Sequence, residues 1–347
     1  MNDSLSTALV ELAHAPPAPG TLREVAPRVH WLRMPLPFAL DHVNLWLLDD
    51  ADGYTLVDCG YASATTRSHW QQLFDAVLAE RPIRRIVVTH CHPDHLGNAA
   101  WLAARFHVPV FMTLAEYLGA FAMRDEHAGY GPASVAVFFA RHGMSPAQLG
   151  QLEERGNAYR RGVPDVPPAF SRLIADDRIA IGEASWRVIA GYGHSPEHAA
   201  LACERDALLI SGDMLLPRIS TNVSVWPSEP EGDPVGRFLD SLGSFEALPP
   251  ATLVLPSHGP PFRGIAARVA ALRAHHAERL DELHRALVAA HRPQSASDIV
   301  PVLFRRTLDV QQLFFAMGEA IAHLNHLWRS GRAKRHVDAD GAIRFAA

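Results

Sequence analysis

Cysteine and lysine are the scarcest reactive side chains in this sequence. Cys59, Cys91 and Cys203 are the only cysteines. So few thiols, and an odd number of them, exclude a full disulfide framework and favour a reducing, cytoplasmic compartment. Lys334 is the single lysine, so almost every basic side chain is an arginine.

Long apolar runs are also missing. The first twenty residues have no basic stretch and only a short apolar run, residues 5–12, followed by three prolines. A signal peptide needs a basic start, and a transmembrane helix needs about 20 apolar residues. We therefore expect no signal peptide and no membrane partner. Residues 1–22 are interpreted as a poorly ordered or loosely docked tail.

The remaining composition is that of a soluble globular protein. Of the 347 residues, 48% are hydrophobic and 20% are charged. This length allows one large core and a second, smaller domain. The twenty histidines exceed an average share, which is consistent with metal chemistry.

Four candidate metal ligands occur within six residues of the segment 89–95, Thr-His-Cys-His-Pro-Asp-His. The β-branched run 86–88 before it predicts a buried strand, and residues 96–106 after it predict a helix. The ligands then lie at the carboxyl end of a strand, where α/β folds place their sites. They are His90, His92, Asp94 and His95.

The spacing within this segment has a geometric meaning. His90 and His92 are two residues apart, so from an extended backbone their side chains point the same way. Pro93 keeps His92 extended, and the two ligands after the proline then point elsewhere, as a second metal requires. Cys91 points to the opposite face, and we interpret it as a bystander.

Three later predicted strands each lead into a loop with one further candidate ligand. Taken singly, each such residue is more often structural. Their recurrence at strand ends indicates a single site. They are His194 in Gly-His-Ser-Pro-Glu-His, Asp213 in Ser-Gly-Asp and His258 in Pro-Ser-His-Gly. Asp58, after the predicted strand 54–57, is either a turn residue or an acceptor for a ligand imidazole.

This ordered set resembles that of the metallo-β-lactamase fold superfamily, in particular its hydroxyacylglutathione-hydrolase-like branch. The similarity covers about residues 25–263 and begins at Asp58 in Val-Asp-Cys-Gly. It implies an α/β fold: a four-layer αββα sandwich with the site at one edge.

The resemblance also implies a role for each ligand. The first metal would be held by His90, His92 and His194, the second by Asp94, His95 and His258, and Asp213 would bridge them. Asp94, Asp213 and His198 are the residues expected to act in catalysis, with His198 behind the ligands. His92 stands where diiron flavoprotein relatives carry Glu, which disfavours a redox role. Glu197 replaces the Gly of many relatives and leaves the role of His198 open.

The chain is expected to have three parts. After the tail 1–22 comes a catalytic domain, 23–263, with a helical insertion at about 114–169. Residues 264–347 predict helices followed by a hairpin around 338–341. This order resembles the winged-helix-like domain that lactamase-beta-like proteins append.

The ligands suit two zinc ions, and manganese or iron remain compatible. Two such ions lower the pKa of a shared water towards about 7. We expect a dinuclear metallo-hydrolase whose metal-bridging hydroxide attacks the carbonyl of a small acyl substrate, a thioester, lactone or ester. The alternative is a metal-dependent endoribonuclease of the lactamase-beta-like type.

The distribution of charge along the sequence favours the acyl hydrolase over the endoribonuclease. Residues 263–347 carry thirteen Lys and Arg against eight Asp and Glu, so the preceding part has a net charge near −10. An acidic catalytic domain repels a polyanion, which disfavours nucleic acid as a partner. The C-terminal unit is instead expected to pack against the core, to support a homodimer or to shape the pocket.

The aromatic residues of the insertion can be interpreted in two ways. They either form the insertion's own core, which we favour, or face the metals and make an apolar wall. The candidates are Tyr117, Phe121, Phe138 and Phe139, with Trp226 after Asp213. Arg218 and Arg237 are similarly either solvated surface residues, which we favour, or anchors for a substrate carboxylate.

Overall fold

Two β-sheets packed face to face organise the molecule. The computed structural model describes residues 8–12 and 15–347. Each of the two sheets has seven strands, and helices cover both outer faces. The chain therefore has the predicted four-layer α/β architecture.

The first sheet has the order β2-β3-β4-β5-β6-β7-β8. Its first half is antiparallel, and the pairs from β5 to β8 are parallel. The strands are β2 (Leu22–Ala26), β3 (Val29–Pro35), β4 (His42–Asp50), β5 (Gly53–Val57), β6 (Ile83–Val87), β7 (Val110–Thr113) and β8 (Ser171–Leu173).

The second sheet has the order β1-β14-β13-β12-β11-β10-β9. Only β12 and β13 run parallel; the other neighbours are antiparallel. The strands are β1 (Val10–Glu11), β9 (Arg178–Ile181), β10 (Ala184–Gly191), β11 (His198–Cys203), β12 (Leu208–Gly212), β13 (Leu253–Pro256) and β14 (Phe262–Arg263). A separate hairpin follows near the C-terminus, β15 (Lys334–Val337) with β16 (Ile343–Ala346).

The helices fall into three sets. Those packed on the first sheet are α1 (Ala64–Asp75), α2 (Val77–Glu80), α3 (Pro93–Leu96) and α4 (Ala99–Phe106). The insertion contributes α5 (Leu114–Arg124), α6 (Pro132–Arg141), α7 (Pro146–Arg155) and α8 (Ala158–Gly162). The second sheet is covered by α9 (Pro234–Glu246), α10 (Ile265–Ala290), α11 (Ala296–Leu303) and α12 (Val310–Arg329).

The C-terminal helices share one apolar core with the catalytic domain. Leu272, Ile321 and Leu324 are buried together with Phe238 of α9 and Ile189 of β10. Each such side chain contributes about 1.5–3 kcal/mol through burial. The shared core ties residues 264–347 to the outer face of the second sheet. The observed helices and hairpin follow the order predicted for this unit, and the winged-helix resemblance stays a prediction.

Several boundaries differ from those that the sequence predicts. The helix predicted at 96–106 is preceded by the short α3, which carries two of the ligands. The helix α9 was not predicted. The strands β1 and β8 were not predicted either, because two or three residues are too few to show an apolar alternation.

The N-terminal segment is partly integrated into the fold. Val10 and Glu11 form β1 and pair with Arg263 and Phe262, and β2 already starts at Leu22. Within the segment predicted as a tail, Val10 and Glu11 therefore pair with the second sheet and Leu22 pairs with the first. Residues 1–7 and 13–14 lie outside the described residues.

None of the helices in the described ranges combines the length and the apolar character that crossing a bilayer requires.

Candidate metal centre

The ends of five strands meet at one edge of the sandwich. β6 leads into the segment with His90 and His92, and α3 follows directly with Asp94 and His95. His92 is extended, with φ −61° and ψ 150°, as the following proline predicts. The other strand ends supply Asp58 after β5, His194 between β10 and β11, Asp213 after β12 and His258 after β13.

The structure brings the seven predicted ligands together in three overlapping groups. Within each group the candidate ligand atoms lie within 4.8 Å of one another. The groups are His90, His92 and His194; His90, His95 and Asp213; and Asp94, His95 and His258. The outer two correspond to the two sets that the resemblance implies.

Asp213 lies between those two sets. Its Oδ2 is 3.4 Å from Nε2 of His194, and its Oδ1 is 3.5 Å from Nε2 of His258 and 3.6 Å from Nε2 of His95. Asp94 Oδ2 lies 3.4 Å from the same nitrogen of His258. One carboxylate therefore faces both sets, which is the arrangement that a bridging ligand requires.

Hydrogen bonds outside the centre fix which imidazole nitrogens are free. Nδ1 of His194 donates to the carbonyl of Asn222 at 2.7 Å, and Nδ1 of His258 donates to that of His42 at 2.8 Å. A neutral imidazole with a proton on Nδ1 presents a bare lone pair at Nε2. These two rings therefore turn bare nitrogens inwards, as in metal-ligating histidines.

Two buried atoms at the centre have no hydrogen-bond partner in the described part of the chain. They are Nε2 of His95 and Oδ1 of Asp213. A buried polar atom without a partner is costly, and imidazole nitrogens with carboxylate oxygens suit a divalent transition metal. The donor set therefore fits two divalent cations held by the three groups.

The charges of the side chains at the centre also favour the binding of a cation. Burial lowers the pKa of His258, but the charges of Asp213 and Asp94 and hydrogen bonds to them outweigh it and raise that pKa to about 10. Burial and the neighbouring His194 lower the pKa of His92 to about 3. The carboxylate side of the centre thus attracts cations, and the imidazole side is held neutral.

Asp58 orients one of the ligands. Its Oδ2 accepts a hydrogen bond from Nδ1 of His95 at 2.8 Å, and its Oδ1 accepts one from the backbone N–H of Thr89 at 2.8 Å. Asp58 has φ +61°, an uncommon backbone conformation for a residue other than glycine. The hypothesis that Asp58 is an acceptor for a ligand imidazole is confirmed.

His198 lies behind the ligands and is fully buried. Its ring is 4.9 Å from that of His90, and its Nε2 accepts a hydrogen bond from the backbone N–H of Asp213 at 3.2 Å. A Cβ on Gly212 would collide with the same ring, which explains the glycine in Ser-Gly-Asp. His198 is thus placed to position Asp213 without facing the centre. Cys91 is buried and outside the three groups.

Glu116, at the start of α5, is a buried carboxylate that the sequence analysis missed. Its Oε2 accepts from the backbone N–H of Cys91 at 2.8 Å, and its Oε1 accepts from Oγ of Ser195 at 2.6 Å and from the N–H of Glu197 at 2.7 Å. Glu116 thereby joins the loops that carry His92 and His194. The only signal in the sequence is a charged residue within an apolar helix.

The C-terminal helix α12 also reaches this centre. Asn222, whose carbonyl orients His194, donates from Nδ2 to Oε2 of Glu319 at 2.8 Å. The backbone N–H of Val225 donates to the carbonyl of Gly318 at 3.2 Å. The loop behind His194 therefore depends on residues of the C-terminal unit.

A cavity of about 550 Å³ opens beside the centre, and His92 and Asp94 form part of its wall. Its aromatic lining comes from several segments: Phe38, Tyr61, Tyr130, Tyr159, Trp226, Phe314 and Phe315. Of the five aromatic residues considered from the sequence, only Trp226 lines it. Tyr117 stacks on Phe170 with ring centres 4.0 Å apart, and Phe138 and Phe139 belong to the core.

The two arginines considered from the sequence do not line this cavity. Arg218 pairs with Glu11, and Arg237 pairs with Glu229 through Nη2 at 2.6 Å. The arginines in the cavity wall are Arg155 and Arg161 of the insertion.

Comparison with known proteins agrees with this architecture. Sequence profiles match residues 39–258 as "Metallo-beta-lactamase superfamily" and residues 280–347 as "Metallo-beta-lactamase-like, C-terminal domain". The chain is 25% identical over 308 residues to the probable metallo-hydrolase YqjP of Bacillus subtilis (strain 168). The aligned region covers 85% of this chain and 91% of that protein.

Two crystal structures extend the comparison. A beta-lactamase domain protein from Burkholderia ambifaria is 50% identical, covers 99% of both chains and superposes with a TM-score of 0.90. A metallo-beta-lactamase family protein from Thermus thermophilus is 28% identical, covers 93% of this chain and 99% of its own, and has a TM-score of 0.77. The fold, the ordered ligands and these matches show that the chain belongs to the metallo-beta-lactamase superfamily.

Proposed function

We propose that this metallo-hydrolase of the metallo-beta-lactamase superfamily hydrolyses a small acyl compound, a thioester, lactone or ester, by attack at the carbonyl carbon and cleavage of the acyl C–S or C–O bond. The observation that carries the proposal is the position of the seven donors beside a largely apolar, aromatic cavity whose wall includes His92 and Asp94. A cavity of about 550 Å³ falls in the range typical of small-molecule sites.

Two divalent ions would be held by His90, His92 and His194 on one side and by Asp94, His95 and His258 on the other, with Asp213 shared. When bound, such ions supply a hydroxide nucleophile near neutral pH and positive charge for the developing oxyanion. Imidazole and carboxylate donors make zinc the best match, and manganese or iron fit the same donors.

The protein's own residues supply orientation and a dry environment. Asp58 and the carbonyls of Asn222 and His42 fix the rings of three ligands. His198 holds the backbone N–H of Asp213. The apolar wall accommodates the body of an acyl substrate and excludes water from the reacting carbonyl.

The test is a substrate panel on the metal-loaded protein. Acyl thioesters, lactones and esters are compared with single-stranded RNA at fixed salt. We expect hydrolysis of at least one acyl class, with a rate that rises with pH towards neutrality. Efficient RNA cleavage that falls steeply with added salt, with no acyl compound hydrolysed, would contradict the proposal and favour the endoribonuclease.

A further inference from the structure

Two arginines of the insertion lie close together in the wall of the cavity. Arg155 is the last residue of α7, and Arg161 is part of α8. Gly156 ends α7 with φ +59°, which leaves the carbonyl of Arg155 free. Nη1 of Arg161 donates to that carbonyl at 2.9 Å. The short connection thus fixes the Arg161 guanidinium beside Arg155.

Among the described residues, neither guanidinium has a carboxylate partner. No ion pair in those ranges involves either side chain, whereas ten of the eighteen other arginines of the catalytic domain have one. Arg155 instead lies over the ring of Phe314, with Cζ 4.8 Å from the ring centre. Asp309, the N-cap of α12, is the carboxylate whose charge acts on Arg155, and within the described residues it forms no ion pair with it.

This arrangement is electrostatically unfavourable by itself. Burial and the charge of Arg161 lower the pKa of Arg155. Arg155 is half-buried, so neither water nor a protein carboxylate fully compensates its charge. A planar guanidinium presents paired N–H donors that match a carboxylate or a phosphate.

Tyr61 connects the two arginines to the metal centre. The charges of Arg161, Arg155 and Asp94 all act on its hydroxyl. Its ring packs edge-on against Phe38, with ring centres 5.3 Å apart, and a Cβ on Gly162 would collide with it. The ring is therefore held rigidly between the arginines and the ligand Asp94.

We propose that Arg155 and Arg161 form an oxyanion-binding subsite, so that the substrate is an amphipathic acyl compound with a carboxylate or a phosphate at the end remote from the scissile carbonyl. The aromatic wall takes the apolar body between the two polar ends. The inference rests on the proposed function only for the position of the carbonyl, because anion binding itself requires no reaction.

The first experiment measures binding by calorimetry on the metal-loaded full chain. The probes are octanoate, octyl phosphate and octanol, which share an eight-carbon body. We expect at least one anion to bind about tenfold or more tightly than octanol, because hydrogen bonds from a guanidinium to a charged acceptor are stronger than those to a hydroxyl. The anion that binds more tightly identifies the headgroup as carboxylate or phosphate.

Variants separate the arginines from the metals, which also attract anions. Arg155→Met keeps the apolar contact with Phe314, and Arg161→Met changes a more exposed position. Each should remove most of the preference for the anion. Arg160→Gln is the matched control, because it deletes the same charge from the exposed neighbour outside the cavity wall. Anion binding that is equal in wild type and both Met variants would place the anion on the metals and overturn the proposal.

The second experiment compares hydrolysis of two matched thioesters, glutaryl and pentanoyl N-acetylcysteamine. The glutaryl group ends in a carboxylate where the pentanoyl group ends in a methyl group, so the pair tests whether the subsite binds an anion at the far end of the acyl chain. We expect wild type to prefer the glutaryl compound by about tenfold in kcat/KM and Arg161→Met to lose that preference. Arginine-dependent anion binding with no acyl hydrolysis would contradict the proposed function alone. Hydrolysis accompanied by arginine-independent binding would contradict the subsite alone.

Discussion

The protein buries two sets of histidines, and the sets differ in what their free nitrogens face. At the metal centre, Nε2 of His95 and of His258 point towards the carboxylates of Asp94 and Asp213. Between α10 and α12, His276 and His323 stack with ring centres 5.3 Å apart and face each other.

The two rings of the C-terminal pair bond to each other, and of their four nitrogens only Nε2 of His276 lacks a partner among the described residues. Nδ1 of His323 donates to the carbonyl of Glu319 at 2.8 Å, so its Nε2 can accept from Nδ1 of His276 at 3.2 Å. Burial lowers the pKa of His276 to about 3, with further lowering from His323. Burial lowers the pKa of His323 to about 4, partly opposed by its bond to Glu319. These two rings are neutral packing residues.

The difference shows what distinguishes a metal centre from a core. Both sets are buried, and both contain neighbouring imidazoles. Only the first places inward-facing nitrogens against carboxylates, those of Asp94 and Asp213, so only the first presents the mixed donor set that suits a divalent cation. A count of histidines in the sequence cannot separate the two.

The largest effect is expected from Asp213→Ala. We predict two metals per chain in wild type, and fewer than two in the variant, with a loss of hydrolysis of about 100-fold or more because the shared carboxylate is gone. Elemental analysis after purification without chelator measures the stoichiometry. The matched change in the other set, His276→Gln, should keep both metals. A wild-type stoichiometry of one under metal-replete conditions would exclude the dinuclear site.

A smaller effect is expected from the residues that orient the ligands. His198→Ala and Asp58→Asn should each weaken metal affinity or activity by about 10–100-fold, the usual cost of losing such support. Competition with a chromophoric chelator gives the affinity. If His198→Ala were more damaging than Asp213→Ala while metal content stayed at two, the roles assigned to these residues would be reversed.

Glu319→Ala should act on one metal only. The change leaves the partly buried amide of Asn222 without its acceptor, at a cost of about 1 kcal/mol, and loosens the carbonyl that orients His194. We expect the affinity of the protein for one of the two metals to fall by about tenfold or less. Glu319→Gln keeps an acceptor oxygen and should restore binding. Equal weakening of both metals in both variants would refute this link between α12 and the centre.

The smallest effect concerns the stability of the C-terminal pair. Folded pKa values of about 3 and 4 lie below the usual 6.5, so the unfolded chain takes up these protons first on acidification. Their contribution to stability is complete above about pH 6.5 and declines as pH falls towards 4, by up to about 1.4 kcal/mol per pH unit for each histidine.

Urea unfolding of the chelator-treated protein at pH 7 and pH 5 measures that decline. His276→Leu should reduce the loss of stability between the two pH values by about 2 kcal/mol. The exposed His336 provides the control, and His336→Gln should leave the loss unchanged. The same loss in wild type and His276→Leu would show that this histidine is not buried in its neutral form.

The sequence by itself determined the class of fold and the identity of the candidate ligands. His90 and His92 are spaced for an extended backbone, and Pro93 holds that backbone in place, so their common direction follows from local geometry. Strand ends bearing one ligand each then indicate a shared edge. These features depend on neighbouring residues along the chain, which is why they are visible without coordinates.

Only the tertiary structure decided which other residues serve the site. Glu116 contacts Cys91 and Ser195 from a helix elsewhere in the chain, and Glu319 reaches the centre from 97 positions beyond Asn222. The sequence also left the cavity wall open between two alternatives, because a helical pattern shows which face is apolar but not which neighbour that face meets. Phe138 is therefore core, whereas Arg155 faces the cavity. Contacts between distant segments arise from packing, and packing has no local signature in the chain.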